Sequence, residues 1–195
     1  MNLGPRTRFF GDTAWANGKE SDRTSLDAAG YLDISLKPRR KDRQTDDWQR
    51  DRLLWMRIGY DRIFNITSDA GAKVEENRGI ISYYAKVLLP SGFVAESRAR
   101  ADLRWIGGDY STRFRFREEI TRELTVHGHT LVPFFNVEWF YDTRYDGWAR
   151  ILYQLGPEVT VNPRFRYEIY LAHQVDHLPS HSTLDALGLN LKWYF

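Results

Sequence analysis

Leu184-Asp185-Ala186-Leu187-Gly188-Leu189-Asn190-Leu191-Lys192-Trp193-Tyr194-Phe195 closes the chain. Leu187, Leu189, Leu191, Trp193 and Phe195 share one face, and Gly188, Asn190, Lys192 and Tyr194 share the other. That is the period of two expected of a strand with unlike faces. The same alternation recurs upstream. Arg98, Arg100, Asp102 and Arg104 oppose Ala99, Ala101, Leu103 and Trp105; Arg113, Arg115, Arg117 and Glu119 oppose Phe114, Phe116 and Ile120. Asn136 and Glu138 oppose Phe135, Val137, Trp139 and Tyr141, and Arg166 and Glu168 oppose Phe165, Tyr167, Ile169 and Leu171. Trp55, Arg57 and Asp61 oppose Leu54, Met56, Ile58 and Tyr60. Turn chemistry separates these runs at Pro90-Ser91-Gly92, Gly107-Gly108-Asp109, His127-Gly128, Asp142–Gly147 and Asn162-Pro163. The pattern predicts ten strands, at about 6–16, 25–37, 50–64, 78–90, 93–106, 111–124, 130–142, 147–160, 164–176 and 183–195.

Composition narrows the class. Mean hydropathy is −0.56 and 28% of residues are charged. No window reaches the ~20 apolar residues of a membrane helix. A strand-built membrane barrel fits the same numbers, because half of each strand faces a polar interior. Strands of ~9–14 residues exceed the usual ~5–6 of globular sheets and match a tilted bilayer crossing. A soluble sandwich would put the apolar face inward, whereas a membrane barrel reverses it. Length, an aromatic content of 15% and the Phe195 end favour the barrel. A closing strand that ends in Phe is similar to the last strand of Gram-negative outer-membrane barrels, whose assembly machinery recognises such an end through residues placed like Trp193 and Phe195. The fold expected is therefore one all-β domain over residues 1–195, an up-and-down antiparallel transmembrane β-barrel of ten strands, with eight or twelve as alternatives. Trp15, Trp55, Trp105, Trp139, Trp148 and Trp193 fall near predicted strand ends and suit interfacial girdles. Met1-Asn2-Leu3-Gly4-Pro5 opens no signal peptide. An exported chain would then carry Met1 in place of its leader. With the C-terminus on the periplasmic side, Asn65–Asn77 and His173–His181 become external loops and Lys37–Gln49 a long periplasmic connection.

Several stretches together resemble a known family. They are Glu76-Asn77-Arg78, Ser97–Arg104, Thr112–Arg117, Val132-Pro133-Phe134-Phe135-Asn136-Val137-Glu138-Trp139-Phe140, Ala149-Arg150 and the hairpin at Asn162-Pro163. They resemble an uncharacterised bacterial outer-membrane family, domain of unknown function 2490, well over residues 76–195 and loosely over 25–65. The family would have a further strand between Tyr60 and Glu76, which this chain has shortened or lost. The resemblance implies an outer-membrane barrel with no established activity. Its partners would be outer-membrane lipids, lipopolysaccharide and the barrel-assembly machinery.

The residues expected to face the lumen are Arg57, Asp61, Arg98, Arg100, Asp102, Arg104, Arg113, Arg115, Arg117, Glu119, Asn136, Glu138, Arg150, Glu158, Arg166 and Glu168. Guanidinium forks pair bidentately with carboxylates, and buried charges need partners. A narrow barrel filled by salt bridges is the first reading. An arginine-lined channel preferring small anions is the second. Arg104 is expected near Arg113 and Arg100 near Arg117, with Glu138 bridging these arginines, Asn136 filling a remaining donor or acceptor position and Glu96 outside the network near a turn. An outer-membrane lipid- or lipopolysaccharide-modifying hydrolase is an alternative, resting on His173 and Ser182. The residue two after His173 is Val175, which does not match the His and Ser spacing of outer-membrane deacylases. A soluble barrel or sandwich binding protein is a further alternative. His177 and His181 have metal-like spacing, but Pro179 breaks any helix between them. The chain has no cysteine, so it has no disulfide or thiolate metal site. No phosphate-binding glycine loop or nucleophile elbow occurs. The net charge of +2 is too small to point to nucleic acid. No catalytic residue, metal or cofactor is expected.

Overall fold

The computed structural model describes residues 6–18, 23–37, 52–65, 75–162 and 164–193. The strands are β1 (Thr7–Gly18), β2 (Arg23–Ser35), β3 (Leu54–Asn65), β4 (Glu76–Leu88), β5 (Phe93–Ile106), β6 (Asp109–Arg122), β7 (Leu124–Val126), β8 (His129–Asp142), β9 (Gly147–Asn162), β10 (Phe165–Asp176) and β11 (Ser182–Trp193). They follow one antiparallel up-and-down order, β1-β2-β3-β4-β5-β6-β8-β9-β10-β11, with the short β7 paired to β8. The ten long strands are those the alternation predicts. The extra element arises because the sixth strand breaks at Glu123 and resumes for three residues. Phe195, residues 38–49 of the long connection and the region 66–74, where a further strand was at issue, lie outside the described residues.

Turn residues set the hairpins. Gly107 and Gly108 both have positive φ, as do His127 and Gly128. Two consecutive positive φ values give the twist that a two-residue hairpin needs. Asp142 shapes the β8–β9 turn: its carboxylate accepts from Arg144 N at 3.0 Å and its carbonyl from Tyr145 N at 3.1 Å. Asn162 acts likewise before β10, its Oδ1 accepting from the backbone N–H groups of Arg164 and Phe165.

The chain divides into two compact units. The first holds residues 2–83 and 100–114. In it β1 pairs with β2, and β2 with β3, in unbroken register. Tyr31 lies opposite Gly59, and a Cβ at Gly59 would collide with its ring. The second unit holds residues 84–99 and 115–195, with Met1. There β8 pairs with β9, β9 with β10 and β10 with β11. Pro133 faces Pro157 across β8 and β9. The β9–β10 ladder skips from Glu168↔Glu158 to Leu171↔Leu155. Pro157, which has no N–H to donate, falls in that gap. Beside it Gly156 comes so close to the Ile169 and Tyr170 backbone that a Cβ would overlap it. Tyr170 in turn covers Gly188, its partner on β11.

In both units most of the long strands have one face more covered than the other, and the sense is inverted relative to a soluble sheet, while β11 is open on both faces along most of its length. Along β8, Val132, Phe134, Asn136, Glu138, Phe140 and Asp142 are all buried, while Phe135 on the alternate face is exposed. Asp33, Asp61, Asp102 and Arg104 are buried. Ile58, Ile81, Tyr83, Phe114, Phe116, Ile120, Leu155, Ile169 and Leu171 are exposed. On β11, Leu187 is 75% exposed.

Candidate functional site

Each unit carries an ion-pair network on its covered face. In the first unit Asp33, with no exposed surface, is bracketed by two arginines. Arg8 Nη2 donates to its Oδ2 at 2.6 Å, and Arg57 Nε donates to its Oδ1 at 2.7 Å. Register places Asp33 opposite both Arg8 and Arg57, so one carboxylate serves three strands. The Arg57 guanidinium also lies within 4.8–5.3 Å of the rings of Phe10, Tyr31 and Trp55. Cation–π contact of this kind offsets part of the cost of holding the charge out of water. Further along, Glu76 accepts from Arg104 and Arg78, and Arg78 Nη1 also donates to Asp61 at 3.0 Å. Arg100 donates to Asp102 two residues on, along β5. Arg113 is half-buried on the same face of β6.

The second unit is centred on Glu138, which is 2% exposed. Arg115 grips it bidentately, Nε to Oε1 at 2.7 Å and Nη2 to Oε2 at 3.0 Å. Arg98 donates to the same Oε1. Arg115 lies over the Phe140 ring at 4.7 Å. Next to this centre, Glu96 takes Lys86 at 3.1 Å and Arg117 at 3.0 Å. Glu119 sits 3.8 Å from Arg117 and accepts a hydrogen bond from Asn136 Nδ2 at 3.3 Å. Toward β11, Lys192 Nζ joins Glu158 at 2.7 Å and Glu168 at 2.9 Å, with Arg166 3.6 Å from Glu158. Arg150 pairs with Asp176 at 2.6 Å.

The sixteen residues expected to share one charged face therefore form two sets. Arg57, Asp61, Arg100, Asp102, Arg104 and Arg113 belong to the first unit and the rest to the second. Glu138 holds Arg98 and Arg115, neither of them among the four arginines it was expected to bridge, and Asn136 donates to Glu119. Four further expectations are corrected. Glu96 is not a turn residue outside the network: it is buried within β5 and holds two cations. The β5–β6 turn has two residues, not four, since β5 ends at Ile106 and β6 begins at Asp109. Counting inward from that shorter turn sets Arg98 level with Arg117 and Asp102 level with Arg113, which leaves Arg104 diagonal to Arg113 and Arg100 diagonal to Arg117 on one face. Trp55 is fully buried beneath Arg57 and belongs to no exposed girdle. His173 lies inside β10, not in a loop.

Sequence reasoning missed Arg8, Asp33, Glu76, Arg78, Lys86, Glu96, Asp176 and Lys192 as network members. Glu76 and Arg78 have the parity of Ile80, Ser82 and Tyr84, the covered face of β4. That parity was the available signal. Trp193 is exposed and packs its ring at 5.6 Å from Phe165.

No group of three or more histidines, cysteines or acids among the described residues could hold a metal ion. No curated protein and no solved structure matches the chain significantly. A family model described as "Protein of unknown function (DUF2490)" matches residues 32–185, which take in the long strands from β3 to β10 and every named member of the two ion-pair networks but Arg8 and Lys192. With the greater part of its length so matched, the chain belongs to the DUF2490 family of proteins of unknown function.

Proposed function

We propose that the chain is an integral β-barrel protein of the bacterial outer membrane, with its apolar face against lipid and its ion-pair networks turned inward as structural filling. The observation that carries this reading is the inverted burial, with Glu138 covered and Leu187, Leu189 and Leu191 open. Exposed apolar surface on this scale marks contact with another apolar phase. A water-soluble sheet would bury these leucines and expose the arginines. Bidentate bridging of the Glu138 kind fixes the inward side chains and leaves little freedom for a pathway between them. Outer-membrane lipid and lipopolysaccharide are the expected surroundings, and the assembly machinery would read the end of the chain at Trp193 and Phe195.

A second reading, a narrow channel preferring small anions, draws on the charge balance at the Glu138 centre. Among the described residues, the cations Lys86, Arg98, Arg115 and Arg117 gather there around Glu96, Glu119 and Glu138. Hydrolysis of lipid has less support. Ser182 pairs with Asp176 while His173 pairs with Asp185, so the two side chains fall on opposite faces and in different rows.

The absence of native cysteine makes the test direct. Single cysteines at Phe116 and at Arg115, exposed to a lipid-soluble maleimide in reconstituted vesicles, should label at 116 and not at 115. Labelling at 115 alone would invert the sidedness. Planar-bilayer recording separates the two interiors. Filling predicts no unitary conductance, and a channel predicts anion-selective steps that shrink in Arg115→Gln.

A further inference from the structure

One row on the open face breaks its apolar character. Register aligns Tyr153 on β9, His173 on β10 and Asp185 on β11. His173 Nδ1 donates to Asp185 Oδ1 at 2.7 Å, and the Tyr153 ring lies 6.1 Å from the imidazole. All three side chains are exposed, Asp185 at 82%. Phe135, Leu155, Leu171 and Leu187 flank them on the same face and line a shallow depression with them. Asp185 is otherwise alone: its second carboxylate oxygen makes no hydrogen bond among the described residues, and neither do His173 Nε2 or the Tyr153 hydroxyl. On β10 and β11 the row stands three residues from the strand ends at the turn between them, while Tyr153 lies near the middle of β9.

With Nδ1 turned to Asp185, the ring nitrogen left to meet a ligand is Nε2, an acceptor in the tautomer whose proton lies on Nδ1. The free carboxylate oxygen is a second acceptor and brings a negative charge. An aromatic face beside them adds attraction for a cation. Acceptors, one negative charge and a ring call for a headgroup that is positive and carries N–H donors. The leucines and Phe135 call for hydrocarbon below it.

We propose that this row binds one amphiphile bearing a primary ammonium headgroup, with the ammonium at Asp185 and His173 and the chain along Leu155, Leu171 and Leu187. The inference rests on the reading that this face meets lipid. The test uses the full chain in maltoside detergent and native mass spectrometry, with phosphatidylethanolamine, phosphatidylcholine or phosphatidylglycerol added in separate arms. Choline keeps the charge and lacks N–H; glycerol keeps donors and lacks the charge. One ethanolamine lipid should be retained, at least tenfold more than either of the others. Asp185→Asn and His173→Gln should each abolish that preference, and both positions are exposed enough for the fold to tolerate the change. Equal retention of the three lipids, or an unchanged preference in Asp185→Asn, would overturn the site while leaving the membrane reading intact. A chain that holds no lipid of any class and stays monomeric in buffer would overturn both.

Discussion

Glu138 is where one atom decides most. Its carboxylate holds Arg98 and Arg115 out of water, and nothing else on that stretch of β8 can replace it. Glu138→Gln keeps the shape and removes the charge. Leaving a buried cation without its counter-ion costs about 3–5 kcal/mol. Unfolding in detergent should show a loss of that order. Glu96→Gln should come close to it, since Glu96 also holds two cations. Glu75→Gln is the contrast. Its bridge to Arg62 has both partners about half exposed, and such a pair contributes at most ~1 kcal/mol. Equal shifts for Glu138→Gln and Glu75→Gln would refute a central network.

At the scale of the strand, two glycines set how closely neighbours approach. Gly188→Ala would drive a methyl into the Tyr170 ring. Overpacking of this kind costs ~1–3 kcal/mol. Tyr170→Ala in the same chain should recover much of that loss, so the two substitutions should be non-additive in a double-mutant cycle. Gly156→Ala has no such rescue, because its obstacle is the Ile169 and Tyr170 backbone. It should fail to refold where Gly188→Ala succeeds. The strands themselves were legible in the sequence because alternation is a local signal, and so were the glycine turns. What was not legible depended on count or on depth. One residue more or less in the Gly107–Gly108 turn moves every cross-strand pair. The partners of Arg104 and Arg57 lie 28 and 24 residues away, on strands whose register no local pattern fixes. Trp55 looked like any other strand-end tryptophan, since composition does not tell a ring under a guanidinium from one at an interface.

For the whole molecule the relevant quantity is the apolar surface left open. A lysine placed in that surface should be costly if it faces lipid and nearly harmless if it faces water. Leu189→Lys should destabilise the folded protein in bilayers by ~2–4 kcal/mol, with a smaller effect near the strand end at Leu191. Folding titrations into vesicles would measure both. Insensitivity to Leu189→Lys would mean that this side of β11 meets solvent or another protein.

The period-two alternation has a further consequence, for the route such a chain could travel. Its apolar residues are never gathered into a long run, and no described helix is long and apolar enough to cross a bilayer. A translocation channel that diverts sequences sideways by their continuous hydrophobicity would find nothing to divert. Greasiness becomes apparent only once neighbouring strands pair and Leu187, Leu189 and Leu191 line up with Ile169 and Leu171 across the ladder. On the outer-membrane reading proposed above, the residues that would face lipid in the folded wall would also leave the unfolded polymer free to pass through one membrane on the way to another.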